Sequence, residues 1–286
     1  MVSAVIIVHF IKGSQSSTPL PMKSDQAKDL LQIEPIAAFR DNYIWLMSRD
    51  MTRQAWVVDP GDALPVLDSL DKKQLRLEGV LLTHHHPDHD GGIPTLLQRY
   101  PHARVVSGVH SRSPYAREHH SDGASIEVLG KIFKLIEVPG HTLDHVAFYC
   151  AEESILFSGD TLFACGCGRL FEGSAEQLYR SLTCLAALPG NTLNYCAHEY
   201  TLSNIRFALA VEPENIGLQQ RSSDANTLRT LGIPTIPSFL SLEHATNPFL
   251  RCHEPSIMAS ARRQAGNRLE SPLDVFTAVR AWKDHF

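Results

Sequence analysis

The sequence predicts a mixed α/β protein whose strand-rich part comes first and whose last third is mainly helical. Two observations carry that prediction. Apolar runs of strand length, bounded by Gly, Pro, Asn and Asp, recur from Leu31 to about residue 200, with helical stretches between them. After Tyr200 the strand signals stop and apolar residues recur at helical spacing. This places residues 31–200 in one α/β domain and 201–286 in a helical one, with residues 1–30 as a separate extension.

Taken in order, Ile33–Phe39 and Tyr43–Met47 read as strands flanking an Arg40-Asp41-Asn42 turn. Ala55–Asp59 is a third strand, ended by Pro60-Gly61. From Asp62 to Leu70 a helix is expected, with Leu64, Leu67 and Leu70 at helical spacing. Gly79–Thr83 is a continuous apolar run, as in a strand covered on both faces, and it leads directly into His84. Gly91-Gly92 opens a helix over Ile93–Tyr100. Further strands are expected at Arg104–Ser107, Ser125–Leu129, Phe133–Val138, Val146–Tyr149, Ile155–Ser158 and Leu193–Ala197. Ala175–Leu188, Leu202–Val211, Ile216–Leu231, Ser256–Arg263 and Pro272–Trp282 read as helices.

Composition narrows the function classes. The 286 residues carry a formal charge of −5 without a long basic block, so no nucleic-acid partner is expected. No apolar run reaches the ~18–20 residues of a membrane span, and Val2–Val8 lacks the preceding Lys or Arg of a signal peptide. Residues 1–30 read as a frayed extension or a misassigned start, with Met22 or a nearby codon as the true beginning. The six cysteines are too sparse for a disulfide scaffold, which points to reduced thiols and a cytoplasmic protein. A chain this long buries a core without a structural metal, so a metal here is expected to be catalytic.

The strongest local signal is Thr83-His84-His85-His86-Pro87-Asp88-His89. Imidazole and carboxylate are ligands of zinc and its neighbours, and Pro87 with Gly91-Gly92 supplies the turns that let one loop chelate. Four residues rarely saturate two ions. His141, Asp160 and His198, each following an expected strand, complete the set. We assign His84, His86 and His141 to one metal, and Asp88, His89 and His198 to the other, with Asp160 between them. His85 and His145 are expected to support the ligands, and His110, His119 and His120 to lie in loops.

Thr-His-x-His-x-Asp-His followed by distant His, Asp and His resembles the metallo-β-lactamase superfamily, which implies an αββα sandwich with metals at one edge. The chain further resembles the glyoxalase II (hydroxyacylglutathione hydrolase) family over residues 31–286. The resemblance is carried by Asp41-Asn42-Tyr43, the segments 139–145 and 159–163, Gly166-Cys167-Gly168-Arg169-Leu170-Phe171-Glu172-Gly173, His198-Glu199-Tyr200 with Asn204, Asn247-Pro248-Phe249, and the closing Val279–Asp284. It implies that Arg169, Phe171, Tyr200, Arg280 and Lys283 contact glutathione, with Arg280 and Lys283 on its glycine carboxylate. The sequence departs from the family at Asp144 and Ala197, both often Gly, and at Phe171, which lacks a Tyr hydroxyl.

The implied reaction is hydrolysis of S-(2-hydroxyacyl)glutathione, typically S-D-lactoylglutathione, to glutathione and D-lactate, the second step of methylglyoxal detoxification. A hydroxide held by two divalent ions, zinc in the first place and iron or manganese otherwise, is the expected nucleophile, and Asp88 is expected to orient it. The expected partner is this small thiolester, with no membrane and a monomeric chain. The alternative on the same fold is a glutathione persulfide dioxygenase with one iron.

Overall fold

The structure is a computed structural model that describes residues 31–49 and 51–286, so the expectations for residues 1–30 lie outside the described residues. The first sheet is built from β1 (Gln32–Ala38), β2 (Asn42–Arg49), β3 (Gln54–Val58), β4 (Arg76–Leu81), β5 (Arg104–Gly108) and β6 (Glu118–His120), paired in that order. Its first three strands run antiparallel, while β3 to β6 pair parallel. The parallel connections are made through α1 (Ala63–Lys73) and, between β4 and β5, through α2 (Pro87–Asp90) and α3 (Ile93–Arg99).

The second sheet contains β7 (Ser125–Val128), β8 (Lys131–Glu137), β9 (Val146–Cys150) and β10 (Ile155–Gly159). Two short strands, β11 (Leu162–Phe163) and β12 (Gly166–Cys167), then form a hairpin, followed by α4 (Ala175–Ala186) and β13 (Leu193–Cys196). The chain continues through α5 (Thr201–Val211), α6 (Ile216–Thr230), β14 (Ser238–Phe239), α7 (Leu240–Thr246), α8 (Pro255–Ala265) and α9 (Pro272–Asp284). The sheet order is β14-β13-β10-β9-β8-β7.

Period-two alternation makes the layers. In β2, Tyr43, Trp45 and Met47 face the second sheet, where they join Phe133, Phe148 and Phe157 in one core. Ile44 and Leu46 face the other way and pack with Val66, Leu70, Ile93 and Leu96 of α1 and α3. On the far side, Ala147 and Leu156 pack against Leu178 and Leu182 of α4 and against Phe276 and Val279 of α9. The result is the αββα sandwich. Burial of each such large apolar side chain contributes about 1.5–3 kcal/mol.

Several details depart from the sequence reading. The strands do not stop at Tyr200, because β14 pairs with β13 through Leu193–Phe239 and Asn194–Ser238. The closing helices share a core with the second sheet rather than standing apart from it. His119 and His120 lie in β6, not in a loop. Leu64 points to solvent, while Ala63, Val66 and Leu70 form the buried face of α1.

Candidate metal centre

Both sheets deliver their candidate ligands to one edge. β4 ends at Leu81, and two buried residues later the chain reaches His84. The short helix α2 then carries Asp88 and His89. Gly61 lets this loop pack closely, since a Cβ there would lie 1.9 Å from the Asp88 carbonyl oxygen. In the second sheet β8, β10 and β13 lead to His141, Asp160 and His198. Gly159 turns the chain with a φ of +50°, and a Cβ there would crowd Thr83 and His145.

Seven side chains converge in two sets around one carboxylate. His84 Nε2 lies 3.0 Å from His86 Nδ1, which is 3.2 Å from His141 Nε2. His89 Nε2 and His198 Nε2 lie 3.4 and 3.5 Å from Asp88 Oδ2. Asp160 faces both sets with different oxygens. Its Oδ2 is 3.5 Å from His141 Nε2, whereas its Oδ1 is 3.5 and 3.3 Å from the Nε2 atoms of His89 and His198.

The surroundings fix which ring nitrogens face inward. Thr83 Oγ1 donates to Asp59 Oδ2, so it accepts from His84 Nδ1 at 3.0 Å and leaves His84 Nε2 with its lone pair. His141 Nδ1 donates to the Arg169 carbonyl at 2.9 Å. His89 Nδ1 donates to Asp59 Oδ2 at 3.0 Å, and His198 Nδ1 to Asp41 Oδ1 at 2.9 Å. Four rings thus aim Nε2 lone pairs at the same space, while buried His89 Nε2 and Asp160 Oδ1 lack any hydrogen-bond partner. Converging lone pairs and orphaned acceptors are what cations satisfy, so the donor set fits two divalent ions.

Electrostatics separates the sets. Burial, reinforced by neighbouring imidazoles, pushes His84 and His141 down and His86 to about 4. Burial opposes charge on His89 and His198, but the surrounding carboxylates together outweigh it and raise both, Asp160 with Asp59 for His89 and Asp160 with Asp41 for His198. The Asp160 carboxyl is held well below the usual range, with His198, His89 and His141 overcoming its burial. Asp88 is likewise held down, by neighbouring His89 and by the hydrogen bond from Asn42, against its burial. The supporting residues Asp41, Asn42 and Asp59 were not singled out as site residues in the sequence. Asp59 shares a signal with Asp160, an acid directly after a strand with a glycine within two residues of it.

His85 and His145 stand beside the ligands as expected. His85 bonds to Asp144 at 2.9 Å, and buried His145 accepts from the Asp160 N–H at 3.0 Å while stacking on His84. The Phe171 ring lies edge-on to His86 and His141 and is 64 % exposed. Tyr200 stacks on His198, with ring centroids 4.7 Å apart, and Arg169 is exposed. Half-buried Lys283 lies against Phe207, its ammonium donating to the Ser203 carbonyl at 3.3 Å. Arg280 is buried, donating to the carbonyl of Cys167 at 3.1 Å and to Asp284 at 2.9 Å, so it braces the β12 segment. Its i,i+4 spacing with Asp284 reads in sequence as a solvated pair, which hides the burial.

With this geometry in place, family comparisons become decisive. The model of the metallo-beta-lactamase superfamily matches residues 46–198, and the model described as hydroxyacylglutathione hydrolase C-terminus matches residues 199–286. The chain is 50 % identical to a hydroxyacylglutathione hydrolase of Pseudomonas paraeruginosa over 259 residues, 90 % of this chain and all of that one. The chain belongs to the hydroxyacylglutathione hydrolase family. A hydroxyacylglutathione hydrolase of Vibrio parahaemolyticus is 48 % identical over 257 residues, again 90 % of this chain and all of that one. Among solved structures, ETHE1 from Myxococcus xanthus aligns with a TM-score of 0.59 at 25 % identity, covering 89 % of this chain and 98 % of that one. The BLEG-1 B3 metallo-beta-lactamase, 21 % identical with a TM-score of 0.58 over 77 % of this chain and 99 % of that one, shares the fold. Membership in the hydroxyacylglutathione hydrolase family makes this chain a metal-dependent hydrolase, and its two ligand sets suggest a dinuclear site.

Proposed function

We propose that the chain hydrolyses S-(2-hydroxyacyl)glutathione, foremost S-D-lactoylglutathione, to glutathione and a 2-hydroxy acid. His84, His86 and His141 would hold one ion, Asp88, His89 and His198 the other, and Asp160 would join them. Two divalent cations, zinc in our reading, supply acidity to a water and offset charge developing on the thiolester oxygen.

The chain's own groups complete the chemistry. Asp88, 41 % exposed where the buried imidazoles are not, stays ionised and orients a water entering from the cleft. Burial and the carboxylates of Asp41, Asp160 and Asp88 raise the Tyr200 phenol, so it keeps its proton and donates to the substrate. Lys283, with Arg169 nearby, attracts the substrate's glycine carboxylate. The Phe171 ring covers the His86–His141 side and limits water there. The departing thiolate, with a thiol pKa of ~8.5, leaves without a general acid.

The observation that carries the substrate assignment is the match of residues 199–286, which include Tyr200 and Lys283, to the hydroxyacylglutathione hydrolase C-terminus. That match favours this reading over a one-iron persulfide dioxygenase. The six unpaired cysteines suit a reducing cytoplasm, and no helix among the described residues is long and apolar enough to cross a membrane. One chain supplies every candidate ligand, which suits a monomer. The test is thiol release from S-D-lactoylglutathione with metal counted per chain. Turnover with two ions is expected. Oxygen uptake with glutathione persulfide and no thiol release would overturn the proposal.

A further inference from the structure

A polar cluster beside the metal centre supplies neither a candidate ligand nor a core residue. Asp144, only 3 % exposed, accepts from the Arg112 backbone N–H at 3.0 Å, from the Thr142 hydroxyl at 2.7 Å and from His85 Nδ1 at 2.9 Å. Arg112 Nη2 donates to His85 Nε2 at 2.8 Å and also bonds Glu172 Oε1. The other Glu172 oxygen accepts from the Leu143 N–H at 2.9 Å. Arg112 remains 51 % exposed, and its side-chain bonds among the described residues all use Nη2. Its Nε and Nη1 donors therefore remain for a ligand. An exposed Arg–Glu pair on an open surface is worth about 0–1 kcal/mol. This pair instead hangs on a buried carboxylate, Asp144.

Its position relative to the cleft is informative. The segment from Cys167 to Glu172 begins at Arg280, which holds the Cys167 carbonyl, close to Lys283. It passes His141, which bonds the Arg169 carbonyl and accepts from the Phe171 N–H at 3.2 Å, and it ends at Arg112. The Cys167 end of this track is cationic, with Arg206 and Lys283 beside Arg280 and Arg169 two residues along. The other end carries a paired cation and anion. Five residue steps span at most about 17 Å. A γ-linked tripeptide with roughly four residues' worth of chain reaches about 13 Å.

We propose that Arg112 and Glu172 form a recognition site for the zwitterionic α-amino-acid head of the substrate, its γ-glutamyl end, an inference that rests on the glutathione thiolester reading above. Arg112 takes the head's carboxylate and Glu172 its ammonium. The single carboxylate at the opposite end of the substrate goes to Lys283. Asp144 and His85 are positioning residues that keep the pair in place before substrate arrives.

The experiment compares kcat/KM for S-D-lactoylglutathione with that for N-acetyl-S-D-lactoyl-cysteinylglycine, which keeps the thiolester and the glycine but lacks the γ-glutamyl head, its acetyl cap preventing acyl transfer to a free cysteine amine. The parent, Arg112→Ala, Glu172→Gln and Lys283→Ala proteins are measured as metal-replete full chains. Preference for the full tripeptide should fall about tenfold in Arg112→Ala and Glu172→Gln, equivalent to about 1.4 kcal/mol. Lys283→Ala should weaken both substrates alike and leave the ratio near the parent value. Because each ratio is internal to one preparation, loss of folded protein cancels. An unchanged ratio in Arg112→Ala and Glu172→Gln overturns the site while leaving the substrate assignment intact. Absence of thiol release from either substrate by the parent overturns the substrate assignment itself.

Discussion

The two candidate ligand sets are built differently although they share Asp160. The set of His84, His86 and His141 is neutral, backed by the Thr83 hydroxyl and the Arg169 carbonyl. The other set places carboxylates behind its rings, Asp59 behind His89 and Asp41 behind His198, and Asn42 behind Asp88 at 3.0 Å. Backing carboxylates raise ring basicity, which strengthens a grip on any cation but also on a proton. The contrast teaches that one set is poised by burial and the other by charge. The sets are joined twice, once through Asp160 and once through Asp59, which bonds Thr83 as well as His89.

The largest effect should come from breaking the shared element. Asp160→Ala is expected to lose both ions and all measurable thiolester hydrolysis, as read by metal analysis beside thiol release. Retention of two ions would show the sets to be independent. Removing the backing acids sharpens the comparison, since such partners are worth about 10–100-fold in affinity or activity. Asp59→Ala should sit near the upper end and weaken both ions. Asp41→Ala, whose lost carboxylate bonds His198 alone among the candidate ligands, should sit near the lower end and spare one ion in a chelator titration.

Smaller effects are expected away from the metals. Lys283→Ala should raise KM about tenfold with kcat within about twofold, the pattern of lost ground-state binding. The finest effect is pH-dependent. Burial, then Arg280 and Arg206, lower Lys283 from 10.5 to about 8. KM should therefore rise as pH passes about 8 and the ammonium loses its proton. Stability should move oppositely. The folded chain binds fewer protons than the unfolded one between about 8 and 10.5, so this group's contribution to stability rises with pH across that window. A KM that is flat from pH 7 to 9 would argue against Lys283 as the carboxylate partner.

Much of the site was legible because each candidate ligand follows a strand end, and strands are marked by apolar runs. His84 after β4 and His198 after β13 are examples. The bonds behind the ligands were not legible, since Asp59 and Asp41 sit in turns where acids are ordinary. Their role exists only once two sheets meet. Elements of two to four residues, such as α2, β12 and β14, are too short to show any period. The burial of Arg280 was not legible because sequence pattern shows a charge and a helix face but not the carbonyl that the charge will meet.

The β11–β12 hairpin links Asp160 to Arg169, the residue whose carbonyl orients His141, and its grip comes from far along the chain. Buried Glu243 accepts from the Cys165 N–H at 2.7 Å, Asn247 donates to the Gly166 carbonyl at 3.0 Å, and Arg280 holds Cys167. A nascent polypeptide has therefore displayed all seven candidate ligands by His198 but lacks these three clamps until some eighty further residues have been made. The hairpin that sets the His141 side of the centre is thus held by groups that the ribosome makes after every candidate ligand.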